Sequence, residues 1–363
     1  MKNSHSLTVF ASRSAAKQSP IGIARQAWGL CNLRLLRLPR AVTLTLIAIS
    51  LLLAACAAAA APAGPVETIR LPMGYIPNVQ YAPFYVAVER GYFAEAGYAI
   101  EFDYSFETDG VALVGAGQLP FAIVSGEQVL LGRAAGLPIV YVGAWYQQFP
   151  VAVVAMADSG ISALQDLKGA RIGLPGLFGA TYIGLRALLS QRSILEADVQ
   201  LDSIGFNQVQ ALAAGQEDAV VGYINNEPIQ LRAQGYDVTV LHVADYVDLA
   251  ANGILTNESM LAEQPERVRG FVRAFLRGLA DTIADPEAAY EISTKYVEGL
   301  AALDKDTQMA VLTLSIESWQ AEPLGYSSPQ AWENMHAVLL EMGLLTQPLD
   351  VSASFTNDYL PAD

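Results

Sequence analysis

From Thr68 onward, short apolar runs alternate with stretches of helical periodicity. Thr68-Ile69-Arg70-Leu71-Pro72-Met73 alternates apolar with polar positions, as a half-buried strand does. A polar and aromatic turn follows, Gly74 to Tyr81, and then Pro83 sits where the first turn of a helix tolerates a missing N–H. Phe84, Ala87 and Val88 repeat at helical spacing until Gly91 stops the run. The same unit recurs along the chain. Tyr98 to Tyr104 reads as a second strand, followed by a polar turn, Ser105 to Gly110, that opens a helix from Val111 to Ala116. Leu119 to Val124 is a buried strand feeding Ser125-Gly126-Glu127-Gln128 and a helix from Val129 to Ala135. Ile139 to Ala144 is another strand. It runs through Trp145-Tyr146-Gln147-Gln148-Phe149-Pro150 into Val151 to Ala157.

Beyond Ile161 the units continue. Arg171 to Leu174 is a strand, and Leu177-Phe178-Gly179-Ala180-Thr181-Tyr182 opens the helix Ile183 to Leu189. The strand Val199 to Gly205 hands over through Phe206-Asn207-Gln208 to the helix Val209 to Ala214. The strand Asp218 to Tyr223 hands over through Ile224-Asn225-Asn226-Glu227-Pro228 to the helix Ile229 to Ala233. Val238 to Val243 is a further strand, and Val247 to Thr256 crosses back to the first part of the chain. From Pro265 to Gly343 the pattern is mostly amphipathic helix. Val268, Phe271, Val272, Phe275, Leu276 and Leu279 form an apolar stripe, with Arg267, Arg269, Arg273 and Arg277 outside it. Strands alternating with helices predict an α/β fold. Each strand ends in polar or aromatic residues at a helix start, so six such turns are expected on one side of two sheets, where free N–H groups line a ligand crevice.

The N-terminus follows a different pattern. Residues 1–55 carry seven basic residues and no acid, and end in an uninterrupted weakly polar run, Ala41 to Ala55. About 15 residues is short for a membrane span and suits a signal-peptide core. Leu53-Ala54-Ala55-Cys56 resembles a bacterial lipobox, which implies cleavage before Cys56 and lipidation of it. Ala57 to Pro65 then reads as an Ala/Pro/Gly tether. Removing the leader takes the net charge from −15 to −22 and leaves Cys56 as the remaining cysteine. A disulfide, a cysteine metal site and a thiol nucleophile are thereby excluded from the mature part. So acidic a domain repels nucleic acid.

Catalytic motifs are missing. The histidines are His5, in the leader, His242 in a strand and His336 in a helix, with no His-x-x-x-His and no Gly-x-Ser-x-Gly. Gly115-Ala116-Gly117 reads as a helix end. Binding chemistry is plentiful by contrast. Tyr75, Tyr81, Phe84, Phe106, Trp145, Tyr146, Phe149, Phe178, Tyr182, Phe206 and Tyr223 crowd the turns. Phe84 reads as core; Tyr81 and Phe178, flanked by polar or glycine positions, read as site; for Trp145 and Tyr146 both readings stay open. The polar set is Asn78, Ser125, Glu127, Asn207, Asn225, Asn226 and Glu227, few of them beside a Lys or Arg. Amides and carboxylates without cations suit a neutral heterocycle whose N–H and C=O edges are read by hydrogen bonds. Glu227, before Pro228, is the sharpest candidate, although an acid there also suits a helix N-terminus on purely structural grounds.

Gly74 to Phe93, Ser125 to Gln128 and Asn225 to Pro228 carry a resemblance that runs from about Glu67 to the C-terminus. The chain resembles the NMT1/THI5-like substrate-binding proteins of ABC importers, and within them the riboflavin- and pyrimidine-binding lipoproteins. The resemblance implies a two-lobed, type II periplasmic-binding-protein fold with the ligand in the interlobe cleft. It implies a first lobe of residues 67–149, a second of 150–246, and a return to the first lobe over 247–363. It also implies an extracytoplasmic, lipid-anchored protein with ABC permease and ATPase partners and no cofactor or metal. The expected ligand is riboflavin, with hydroxymethylpyrimidine or formylaminopyrimidine as the alternative, and an acid at Glu227 as in the pyrimidine binders. The expected contact set is Asn78, Tyr81, Phe106, Ser125, Glu127, Trp145, Tyr146, Phe178, Thr181, Tyr182, Asn207, Tyr223, Asn226 and Glu227. The pyrimidine synthases that share the fold use a cysteine-rich iron motif and a histidine that is consumed. The mature sequence has no such cysteines, which argues against an enzyme.

Overall fold

The computed structural model describes residues 66–361. The expected leader, Cys56 and the tether to Pro65 lie outside the described residues. β1 (Glu67–Gly74) runs through a 3-10 turn (Val79–Tyr81) into α1 (Ala82–Glu89), and α2 (Tyr92–Glu95) leads to β2 (Tyr98–Phe106) and α3 (Glu107–Gly115). β3 (Ala122–Val124), α4 (Gly126–Ala134) and β4 (Ile139–Ala144) complete the first passage. The second comprises β5 (Val151–Met156), β6 (Arg171–Leu174), α5 (Gly179–Ser190), β7 (Gln200–Ser203), α6 (Gln208–Ala213), β8 (Ala219–Tyr223), α7 (Glu227–Ala233) and β9 (Val238–His242). The chain returns as β10 (Gly253–Asn257) and finishes in α8 (Glu258–Glu263), α9 (Pro265–Ala284), α10 (Pro286–Ser293), α11 (Lys305–Trp319) and α12 (Pro329–Glu341).

The second passage builds one five-stranded sheet in the order β7-β6-β8-β5-β9. Its central strands β5 and β8 are Val- and Ala-rich and buried along nearly their whole length, as strands covered on both faces are. Where one sheet was expected for the remaining strands there are two: the parallel pair β1-β2, and β3-β10-β4 with β10 antiparallel to both neighbours. β1 and β3 are in contact without forming a ladder. Pro72 takes a donor out of β1, and the β1–β2 register shifts between Pro72 and Gly74. The chain passes between these sheets and the five-stranded one twice, at residues 145–150 and 243–252. On this topology we propose lobe limits near Phe149 and near Tyr246, as the resemblance implies.

Several helices begin earlier than the periodicity predicts. α3 starts at Glu107, inside the stretch read as a turn, because Phe106 is extended and the chain turns helical directly after it. α4, α5 and α7 likewise absorb Gly126, Gly179 and Glu227. The apolar count misses these positions because the first turn of a helix is rich in small and polar residues. β3 is shorter than expected: Leu119, Pro120 and Phe121 stay outside the ladder.

The α9 stripe is buried as its spacing predicts, with Val268, Phe271, Val272, Phe275 and Leu279 all within the core. Phe275 packs on Phe84 at 4.6 Å and Phe271 stacks on Phe121 at 3.9 Å between ring centroids. α9 approaches α1 closely at Gly278, where an added Cβ would stand 2.2 Å from the Pro83 carbonyl oxygen. Alanine gains about 1 kcal/mol over glycine in helix propensity. The obstacle here is backbone, which cannot turn aside. Gly278→Ala is therefore expected to destabilise the protein by about 1–3 kcal/mol, read as a lower urea midpoint at unchanged slope.

Candidate functional site

A cavity opens where β1, β2, β6 and β8 end and helices begin. Its empty space is about 810 Å³, solvent at the mouth included. One wall comes from Met73 to Tyr75, Gln80, Tyr81, Phe106 to Thr108, Gln128 and Trp145. The facing wall comes from Pro175, Phe178 to Thr181, Phe206, Gln208, Gly222, Tyr223, Asn226 and Glu227, and Asn252 lies on the second crossing. Among the described residues no Lys or Arg lines it.

Aromatic rings from both walls meet at the mouth. Tyr75 meets Phe206 edge-on at 4.8 Å, and Phe106 meets Phe178 at 5.3 Å and Phe206 at 5.8 Å. Phe106 and Phe178 are 43% and 44% exposed, far more than structural packing of such rings requires. Deeper in, Tyr81 leans on Trp145 at 5.2 Å, and its hydroxyl donates to the Met73 carbonyl at 2.8 Å. Trp145 is buried at 3% exposure and also lines the cavity.

The polar residues fall into three groups. In the first, Glu227 opens α7 and is almost fully buried. It accepts from the Tyr223 N–H at 2.7 Å and from Asn226 Nδ2 at 3.0 Å. Gly222 makes the room, since a Cβ there would lie 2.3 Å from the carboxylate. Burial raises the Glu227 pKa, opposed by these hydrogen bonds. Asn226 Nδ2 also donates to the Tyr75 hydroxyl at 3.2 Å, and Asn78 Nδ2 reaches Asn226 Oδ1 at 3.5 Å, so the two walls are tied together.

The second group surrounds Glu107. This side chain accepts from the Ser125 N–H (3.0 Å), the Ser125 hydroxyl (2.7 Å) and Asn252 Nδ2 (2.9 Å). Asn252 Oδ1 accepts in turn from the Tyr223 hydroxyl at 3.0 Å. Ser125 and Glu127 lie behind Glu107, completely buried and off the cavity surface, with the Ser125 hydroxyl also against Glu127. Burial first, and then the neighbouring Glu107 charge, pushes Glu127 up to about 8.

The third group is a buried network beneath the Trp145 wall. Asn225 Nδ2 faces the Tyr146 hydroxyl at 3.0 Å, Gln80 Oε1 at 3.3 Å and Ser315 Oγ at 2.5 Å. Tyr146 thus supports the wall and does not line it.

Of the expected contact set, Tyr81, Phe106, Trp145, Phe178, Thr181, Tyr223, Asn226 and Glu227 line the cavity. Ser125, Glu127 and Tyr146 are buried behind it, and the half-buried Asn78 is not part of its lining. Tyr182 and Asn207 are elsewhere. The Tyr182 hydroxyl donates to Glu196 at 2.7 Å, and Asn207 donates to the Ile204 carbonyl at 2.9 Å. Tyr182 follows the lining Thr181 within α5, where one step in sequence turns a side chain by about 100°, and Asn207 follows the lining Phe206 just before α6 begins. Glu107, Gln80, Gln128 and Asn252 line the cavity and were not singled out. The sequence signal for Glu107 is its place directly after Phe106 at a strand-to-helix handover, the position Glu227 holds at the start of α7.

The NMT1/THI5-like family profile matches residues 78–289, more than half of the chain. The chain belongs to the NMT1/THI5-like family. Within it, 304 residues are 42% identical to the riboflavin-binding protein RibY of Chloroflexus aurantiacus, covering 82% of this chain and 87% of that one. The formylaminopyrimidine-binding protein of Halalkalibacterium halodurans is 27% identical over 322 residues, covering 86% and 97%. Among solved structures, the alkanesulfonate-binding protein SsuA of Xanthomonas axonopodis superposes with a TM-score of 0.65 at 16% identity, over 81% of this chain and 99% of that one. That likeness shows the two-lobed periplasmic-binding-protein fold.

Glu127 generates a stability test of this family member's interior. Its folded pKa stands above its ordinary 4.5, so the protonated acid contributes stability fully at low pH and loses it as pH rises toward about 8. The thermal midpoint is expected to fall between about pH 5 and about pH 9, and less steeply in Glu127→Gln, which cannot ionise. Parallel slopes for the two proteins in differential scanning fluorimetry are the contrary outcome.

Proposed function

We propose that this protein is the solute-binding component of an ABC importer, and that it captures a planar neutral heterocycle, riboflavin, in the cavity between its lobes. The observation that carries this reading is the 42% identity to a riboflavin-binding protein over 82% of the chain. The cavity's chemistry supports it. Rings from both walls offer stacking faces for a flat ring system, each pair contributing about 0.5–1.5 kcal/mol beyond area burial. The polar lining is of amides, hydroxyls and carboxylates without a cation, which suits N–H and C=O edges better than a sulfonate. Closure of the lobes on the ligand shifts an open–closed equilibrium that a permease reads. The basic leader, its apolar core and Leu53-Ala54-Ala55-Cys56 support an extracytoplasmic protein held by lipid on Cys56.

We read the protein as a binder and not as a pyrimidine-making enzyme. No cysteine follows Cys56, and the two later histidines make backbone contacts: His242 Nε2 with the Phe149 carbonyl, and His336 Nε2 accepting from the Leu349 N–H. A pyrimidine precursor is the second reading, favoured by the formylaminopyrimidine-binding relative.

The test is a thermal-shift and calorimetric survey of the purified protein with riboflavin, FMN, hydroxymethylpyrimidine, formylaminopyrimidine, thiamine, taurine and nitrate. A ligand at a hundred times its Kd stabilises by about 2.7 kcal/mol. Riboflavin is expected to give the shift and to lose its fluorescence on binding. Phe178→Ala is expected to weaken binding by about 2- to 13-fold, the equivalent of one aromatic contact. A shift with the pyrimidines alone moves the protein to thiamine-precursor uptake, and a shift with taurine or nitrate alone overturns the heterocycle reading.

A further inference from the structure

Glu107 is an acid in the cavity wall. It is the first residue of α3, where the helix dipole favours a carboxylate. Its side chain lies across the end of β1. A Cβ on Gly74, whose φ of +82° already calls for glycine, would stand 2.6 Å from Glu107 Cγ. The backbone is thus shaped around this carboxylate.

Counting protons assigns its charge. The Ser125 hydroxyl has one hydrogen and touches both Glu107 Oε2 and Glu127 Oε1. One of those contacts therefore needs a proton on a carboxyl group. Glu107 holds two N–H donors besides the hydroxyl. Glu127 is fully buried, has the Gln128 amide at 3.3 Å, and has no partner for Oε2. The proton belongs on Glu127 and the negative charge on Glu107, since two adjacent buried carboxylates do not both ionise. Tyr81, Tyr141 and Tyr223 face Glu107 as further titratable groups, all pushed upward by burial and so neutral.

Asn252 then orients two acceptors together. Its Nδ2 donates to Glu107 Oε1, and its Oδ1 takes the Tyr223 hydroxyl hydrogen. The Tyr223 oxygen is left with lone pairs only, and Glu107 Oε1 keeps one acceptor position. Both residues line the cavity, whose lining among the described residues holds no Lys or Arg.

We propose that Glu107 and Tyr223, held side by side by Asn252, form a paired acceptor that selects ligands presenting O–H or N–H donors, with Glu107 the specificity-determining group. The choice of probe rests on the riboflavin reading. Riboflavin has two sources of such donors, the ribityl hydroxyls and the ring N3–H.

The experiment titrates the full chain and Glu107→Gln, each checked for cooperative unfolding, with riboflavin, lumiflavin and N3-methylriboflavin. Lumiflavin lacks the ribityl chain, and N3-methylriboflavin lacks the ring donor. Glu107→Gln is expected to weaken riboflavin about 10- to 100-fold, as loss of a hydrogen bond to a charged group does. That loss is expected to vanish for one analogue: lumiflavin if the ribityl hydroxyls are read, N3-methylriboflavin if the ring N–H is. Should Glu107→Gln not fold, Tyr223→Phe reports the same pattern, a loss confined to ligands bearing the donor. Riboflavin binding unchanged in the variant, or an equal loss for all three ligands, overturns the paired acceptor and leaves flavin capture standing. Failure of the wild type to bind any of the three flavins overturns flavin capture and this inference with it.

Discussion

Asn252 is where the structure is tied together. It lies on the second crossing between the sheets, almost fully buried, and its carbonyl oxygen accepts the N–H groups of both Trp145 and Tyr146 on the first crossing. Its side chain joins Glu107 on one wall of the cavity to Tyr223 on the other. A buried backbone without partners is expensive, and crossings have no ladder to satisfy them. One asparagine satisfies the crossing and sets the polar part of the site. The two crossings and the polar cavity wall are thereby joined in a single hydrogen-bonded system.

Three carboxylates, Glu107, Glu127 and Glu227, sit in or directly behind the cavity wall, and each meets the cost of desolvation differently. Glu227 takes a backbone N–H and an amide. Glu107 takes three donors, and Glu127 keeps its proton. These solutions depend on absent side chains as much as on present ones, since Gly222 and Gly74 leave the space the acids occupy. The result is a cavity rich in acceptors and poor in cations, within a fold that its cousins fill with sulfonates.

At the mouth the balance reverses. Tyr75, Phe106, Phe178 and Phe206 meet across the cleft, and two of them remain well exposed. Rings that touch across a cleft stabilise its closed form modestly, by amounts comparable with one ligand contact. A flat ligand inserted among them would replace ring–ring contacts with ring–ligand contacts of the same kind. Closure and recognition would then use the same side chains.

The sequence by itself determined the α/β alternation, the α9 stripe, the family and the principle that the site is built from strand-to-helix handovers. Those are local properties: period, helix-start residues and turn chemistry depend on neighbours a few positions away. Tertiary structure alone decided which residue of each handover faces the cavity. Phe178 and Thr181 line it while Tyr182 pairs with Glu196, and Glu227 and Glu107 line it while Glu127 sits behind. A helix turns about 100° per residue, so the facing side depends on how each helix is set against its sheet. Long-range strand pairing sets that angle. The same pairing brings Asn252 against Glu107, 145 positions away, a contact no local pattern encodes.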